Sequence, residues 1–295
     1  MKEIILKISE ENDGLQIKQV LKKELQLSNK IMTKLKTFPD GIVLNGKKAY
    51  VTAKVSYKDE LILHLYDNKS ETIVPSDISI DIIYEDEDIL ALNKPRNMPT
   101  HPSRNHYTDT LANGVMNYYK DSNFTFRVIT RLDRDTSGIV IIAKNKYSAQ
   151  MLSSQMIDNS FKKEYYAICH NSLDEKKGNI DAPISRVADS GILREVNPDG
   201  KKALTLYEVS EEKKDLFLVK LIPVTGRTHQ LRVHLSYMGC PIVGDNLYGS
   251  SEENEKTLLH CKKVTFIHPV SKKEITLTTE LPDDMKKYLI KSMPL

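Results

Sequence analysis

Arg131-Leu132-Asp133-Arg134-Asp135-Thr136-Ser137-Gly138, followed at once by Ile139-Val140-Ile141-Ile142, is the densest polar segment of the chain, and it runs directly into one of the most apolar. A charged turn therefore enters a buried strand. Two readings fit that juxtaposition. In one, Asp135 and Ser137 satisfy local backbone groups and the arginines pair with nearby acids. In the other, a carboxylate between arginines, held beside a core strand, stays ionised and acts as nucleophile or base. Spacing alone does not choose between Asp133 and Asp135.

Outward from this segment, strand-like runs predominate: Ile80 to Tyr84, Ile89 to Asn93, Gly138 to Ala143, Glu164 to Cys169, Leu204 to Val209, Leu216 to Ile222 and Lys273 to Leu277. Helical spacing is confined to Leu111 to Tyr119 after Asp109-Thr110, Lys146 to Met156 after Asn145, and His229 to Tyr237. Strand runs with interspersed helices predict an α+β fold, a mixed and largely antiparallel sheet with flanking helices. The N-terminal part reads differently. Leu15, Ile17, Leu21 and Leu25 repeat at near-helical spacing, and Ser28 can cap a second short helix with Ile31, Met32 and Leu35. Pro39-Asp40-Gly41 breaks the pattern, Asn45-Gly46 follows the strand Ile42-Val43-Leu44 as a hairpin signal, and Leu61 to Leu65 supplies another strand. A small helix-helix-hairpin domain is expected, with the polar stretch 66–75 as linker and a boundary near residue 72, giving units 1–72 and 73–295.

Composition removes several function classes. With 295 residues, 40% apolar and 28% charged, and only 12 Gly and 12 Pro, the chain is neither collagen-like nor wholly disordered. Its longest apolar runs fall far short of the roughly 18 residues of a membrane span, and Glu3 and Lys7 flank Ile4-Ile5-Leu6 where a signal peptide would be uniformly apolar. A cytoplasmic protein is expected, and Cys169, Cys240 and Cys261 read as reduced packing thiols.

Net charge is only +3, but its distribution is uneven: ten Lys lie between Leu15 and Lys58 against Glu24 and Asp40. Such a module suits a phosphate backbone, with Lys18, Lys22, Lys34 and Lys36 of its helices as expected contacts; the alternative is a solvated lysine-rich surface. All nine Arg fall between Arg96 and Arg232, where forked geometry rather than bulk charge would matter. The segment Gly226-Arg227-Thr228-His229-Gln230-Leu231-Arg232-Val233-His234 opens on Gly and continues as a predicted helix, with His229 and Arg232 on one face. A zinc site of His229, His234, Cys240 and His260 or Cys261 is the rival reading, disfavoured by spacings that match no compact zinc pattern. No metal is expected.

Taken together these motifs resemble the RluA family of RNA pseudouridine synthases, with an N-terminal module similar to that of ribosomal protein S-four. Thr130 followed by Arg131-Leu132-Asp133-Arg134-Asp135-Thr136-Ser137-Gly138 matches the family's H-R-L-D-x-x-T-S-G except that Thr stands for His, beside the nucleophile, where it would alter RNA contact. Lys163-Glu164-Tyr165 matches its lysine-x-tyrosine segment, the Gly226 segment is present in full, and Lys94 to Pro102 matches K-P-x-G-x-x-x-H-P with Asn97 for Gly. Asn tolerates left-handed backbone, so that change need not distort the loop.

The resemblance implies isomerisation of uridine to pseudouridine in structured RNA, with that of the large ribosomal subunit as the expected substrate, without cofactor. It implies Asp133 as the catalytic aspartate, Arg232 as its basic partner with Arg227 as second choice, and Tyr165 against the uracil ring. Arg131 is the family-like group to fill the gap left by the extruded nucleotide, with Arg227, His229 and His101 as further RNA contacts. A monomer is expected. The rival functions are a transfer RNA pseudouridine synthase and a non-catalytic RNA-binding or ribosome-assembly factor on the same fold.

Overall fold

A computed structural model describes residues 1–67, 72–171, 173, 175–213, 216–249 and 256–291. Four of the ten predicted linker residues, 68–71, lie outside the described residues.

The N-terminal body is built from β1 (Lys2–Lys7), α1 (Ile17–Leu25), α2 (Asn29–Leu35), β2 (Ile42–Leu44), β3 (Lys47–Lys48) and β4 (Glu60–Leu65). Ile17, Val20, Leu21 and Leu25 recur every third or fourth residue, so α1 buries one stripe, while the Ser28 hydroxyl caps α2 by accepting from the Ile31 amide. The expected hairpin is part of a larger sheet. β1, which the sequence reading passed over, pairs antiparallel with β4 along its whole length, and the strand order is β1-β4-β2-β3.

The larger body follows: β5 (Ile82–Glu85), β6 (Ile89–Lys94), α3 (Leu111–Tyr118), β7 (Ser137–Ala143), α4 (Lys146–Ile157), β8 (Lys162–His170), β9 (Lys177–Asp181), β10 (Ile184–Arg186), β11 (Arg194–Val196), β12 (Leu204–Lys213), β13 (Leu216–Pro223), α5 (Gln230–Tyr237), β14 (Leu259–Ile267), β15 (Glu274–Thr278) and α6 (Asp283–Lys291). Thr110 and Asn145 cap α3 and α4 as their sequence positions predict. The main sheet runs β5-β6-β7-β14-β8-β13-β12-β9, with β15 paired to β14, so the expected mixed and largely antiparallel sheet is present. Its parallel step joins β7 to β14, through Ser137 opposite His260 and Gly138 opposite Cys261. Gly138 has φ +112°, and a Cβ there would lie 2.3 Å from the Cys261 carbonyl oxygen. Only glycine lets the strand leave the polar loop that close to its neighbour.

The two bodies share α4. Its Tyr147 and Met151 are buried in the N-terminal core, while Leu152 is buried in the main core. Polar contacts fix the same joint: Gln150 accepts from the Ser28 amide and donates to the Gln26 carbonyl, each near 2.8 Å, and Lys2 pairs with the buried Asp88 at 2.9 Å.

Candidate active site

The polar loop 131–136 follows Thr130 and enters β7 at Ser137. Thr130 is 3% exposed and its hydroxyl accepts from the Ile141 amide at 2.9 Å. This side chain stitches the root of the loop to β7. The segment 94–102 grips the loop from the other side. Thr100 donates to the Leu132 carbonyl at 2.8 Å, the Met98 amide donates to the Arg134 carbonyl at 3.2 Å, and Asn97 adopts φ +58°, the left-handed backbone allowed for it above. Lys94 is wholly buried beneath, donating to the carbonyls of Pro95, Met98 and Arg134; burial pulls its pKa down to about 7, against the opposing pull of Asp133 and Asp135.

Held this way, the Asp133 carboxylate stands at the edge of a cavity of about 870 Å³ with its side chain 30% exposed, and Arg232 reaches it at 3.9 Å. Asp135 instead pairs with its neighbour Arg134 at 3.1 Å. Among the described residues Arg232 is the cation within ion-pair distance of Asp133, whereas Arg227 is exposed and donates to the Lys202 carbonyl. Arg232 has a second, tighter partner that the sequence reading missed. Both forks of its guanidinium meet Asp245, at 2.7 and 2.6 Å, with both groups buried. Burial opposes the Arg232 charge, and Asp245 more than offsets this, so its pKa lies above the ordinary value. Asp245 is itself fixed by the amides of Leu247 and Tyr248, and the Tyr248 ring lies 5.2 Å beneath the guanidinium. The glycine-flanked run Gly244-Asp245-Asn246-Leu247-Tyr248-Gly249 was the available signal, a lone carboxylate in a turn with nothing nearby to pair it.

Tyr165 lines the same cavity from β8. Burial, with Cys261 next to its hydroxyl, raises its pKa well above the ordinary value, so the ring is an uncharged wall. Arg131, Arg227, His101 and His229 complete the wall. Among the described residues no hydrogen bond or ion pair holds the Arg131 guanidinium. His229 is not within the helix as expected. It caps α5 with φ +57° and shares a 2.7 Å hydrogen bond with the Tyr248 hydroxyl, yet it still faces the cavity with Arg232. Burial first, then the Arg131 charge, lowers the pKa of His101, and burial lowers that of His229. Lys18, Lys22, Lys34 and Lys36 are exposed on the N-terminal body, away from this cavity.

The rival zinc set does not converge. His234 is buried between Thr205 and the Ala182 carbonyl, and Cys240 contacts the Asn171 carbonyl. The ligand-type cluster found among the described residues is Asp86, Asp88 and His268, whose atoms are already taken by Tyr84, Lys2, Asn145 and each other.

The sequence model of the family described as RNA pseudouridylate synthase matches residues 88–237. Over 270 residues the chain is 38% identical to an uncharacterised RNA pseudouridine synthase of Bacillus subtilis, YjbO, covering 90% of this chain and 95% of that one. It is 37% identical over 235 residues to the ribosomal large subunit pseudouridine synthase D of Borreliella burgdorferi, covering 75% and 72%. The solved structure of human RNA pseudouridylate synthase domain containing 4 superposes with a TM-score of 0.58 at 26% identity, over 73% of this chain and 95% of that one. With the loop, the cavity and these likenesses in agreement, the chain belongs to the RNA pseudouridylate synthase family and is an enzyme that isomerises uridine in RNA.

Proposed function

We propose that the enzyme modifies large-subunit ribosomal RNA and that Asp133, Arg232 and Tyr165 carry the chemistry. The convergence of these three side chains on one cavity is the observation that supports the reading. Relatives named for the large ribosomal subunit support the choice of RNA. In this reading the Asp133 carboxylate attacks C1′ of the target uridine as the bond from C1′ to N1 breaks and uracil leaves with the electron pair. The uracil rotates, C5 attacks C1′ and expels the Asp133 carboxylate, and the proton lost from C5 to solvent is balanced by one taken up at N1. No redox equivalent or phosphate enters the balance. Arg232 aims Asp133, and Asp245 keeps Arg232 from swinging. Tyr165 lies against the uracil.

A cavity of about 870 Å³ admits a nucleotide only after extrusion from its stack, at a cost of a few kcal/mol. The Arg131 guanidinium, unpaired among the described residues and exposed at the cavity, is suited to fill the gap it leaves. Residues 1–72 act as an RNA-binding module, with Lys18, Lys22, Lys34 and Lys36 on phosphates, and residues 73–295 as the catalytic unit. The enzyme works as a cytoplasmic monomer. Mapping pseudouridine in ribosomal RNA from cells lacking the protein, then complementing with wild type or Asp133→Asn, tests the reading. Sites that vanish on deletion and return only with wild type support it; sites confined to transfer RNA, or restored by the variant, refute it.

A further inference from the structure

A second cavity, of about 440 Å³, adjoins the first and shares Lys163 and Pro223 with it. Its wall carries Lys162, Lys163 and Lys263, and among the described residues none of the three has an ion-pair partner. The acid in the groove, Glu164, is already neutralised by Lys220 at 3.0 Å. Lys162 lies opposite Thr265 and Lys263 opposite Glu164 in the pairing of β8 with β14, so adjacent strands supply the charges. Leu206, Ile222 and Val224 give the groove an apolar wall, with Leu206 40% exposed, beside the polar Asn159 and Thr265. Burial lowers the pKa of Lys163, which marks an ammonium lacking the anion that would offset its lost hydration.

Cations beside an apolar wall, in a groove that shares Lys163 and Pro223 with the catalytic cavity, match a sugar-phosphate strand whose phosphates meet lysine while ribose and base cover carbon. We propose that this groove binds the single-stranded RNA immediately flanking the target uridine, with Lys162 and Lys263 on its phosphates. Lys162, Lys163 and Tyr165 stand on one strand within four residues. A flank seated in the groove therefore sets the register of the uridine against Tyr165. The inference rests on the catalytic reading of the first cavity.

The test uses the full-length chain and a stem-loop RNA around a uridine mapped as a product site. Binding is measured in the Asp133→Asn background, where no turnover intervenes, with methylphosphonates placed singly at the three phosphates on either side of the target. Lys162→Gln with Lys263→Gln should weaken binding about tenfold and flatten the slope of log affinity against log salt by about 1.4, two phosphates at the single-strand coefficient. At one or two adjacent positions the methylphosphonate should weaken the parent but cost the lysine variant nothing more. Strict additivity at all six positions, or an unchanged salt slope, overturns the proposal. In the active background the same variant should need about tenfold more RNA than wild type to reach half of its own maximal rate. Turnover by Asp133→Asn itself would refute the catalytic reading instead, and that outcome is scored in a separate assay.

Discussion

Arg232 gives both forks of its guanidinium to Asp245 at 2.7 and 2.6 Å and reaches Asp133 at 3.9 Å. The arginine is thus anchored at its back and presented at its front. Its charge is fixed by a carboxylate that never faces the cavity, which leaves the Asp133 carboxylate free of a tight ion pair.

Removing either half of the anchor should be costly. Arg232→Ala leaves the Asp245 charge buried and uncompensated, an effect of about 3–5 kcal/mol, and Asp245→Ala should cost a similar amount. The double variant should be more stable than the sum of the single losses predicts, measured by urea unfolding. Simple additivity would mean that the two groups do not depend on one another.

Asp133→Asn should abolish release of tritium from C5-labelled uridine while RNA binding and thermal stability stay near wild type, since side-chain volume is kept. Asp135→Asn should retain substantial turnover, because Asp135 is engaged with Arg134 rather than with the Arg232 network. A live Asp133 variant beside a dead Asp135 variant would reverse the assignment.

His260 is held neutral between the Ser137 and Thr279 hydroxyls, and burial lowers its pKa to about 4. The unfolded chain takes up this proton near pH 6.5 and the folded protein only near 4, so stability falls as pH drops through that window. The loss approaches about 3 kcal/mol when the window has been crossed. His260→Gln should flatten the dependence of unfolding free energy on pH between about 6.5 and 4 relative to wild type. An identical pH slope in both proteins would contradict the assignment.

Deleting residues 1–72 is a poor probe of the basic module, because it uncovers Tyr147 and Met151 of α4. Each of those side chains contributes about 1.5–3 kcal/mol by burial, so the truncated protein should melt earlier as well as bind RNA less well. The cleaner variant replaces Lys18, Lys22, Lys34 and Lys36 by Gln. If each meets one phosphate of duplex-like RNA, the salt slope should flatten by about 3–4 with the rate at saturating RNA unchanged. An unaltered slope would leave these lysines as a solvated surface.

How much the sequence revealed depended on how local the signal was. The strand after Gly138, the caps at Thr110 and Asn145, and the left-handed Asn97 are matters of a few neighbouring residues, and they were legible. The strand β14 was not, although it joins β7 to β8 within the main sheet. Its middle, His260-Cys261-Lys262-Lys263, interrupts the apolar pattern, and a register shift between Cys261 and Lys263 spoils the alternation. The ribbon of β10 and β11 is short and polar, and in β1 only Ile4, Ile5 and Leu6 are apolar, without alternation. Of the candidate site, the members carried by compact motifs could be named in advance. Asp245 lies 13 positions beyond Arg232, and only folding shows that the two side chains meet.

The shared helix α4 has a consequence for how RNA is chosen. One side of it is sunk in the lysine-bearing body, while Leu152 packs in the core that includes Ile139 to Ala143, the strand leading out of the Asp133 loop. The separation between the outer lysines and the cavity mouth is therefore a constant of the molecule, like the gap of a caliper. An RNA that engages both must offer a backbone ridge and an extrudable uridine at that one spacing. Two transcripts with the same nucleotides around a uridine but different folds would be graded differently, and three-dimensional shape would be screened before any base is read.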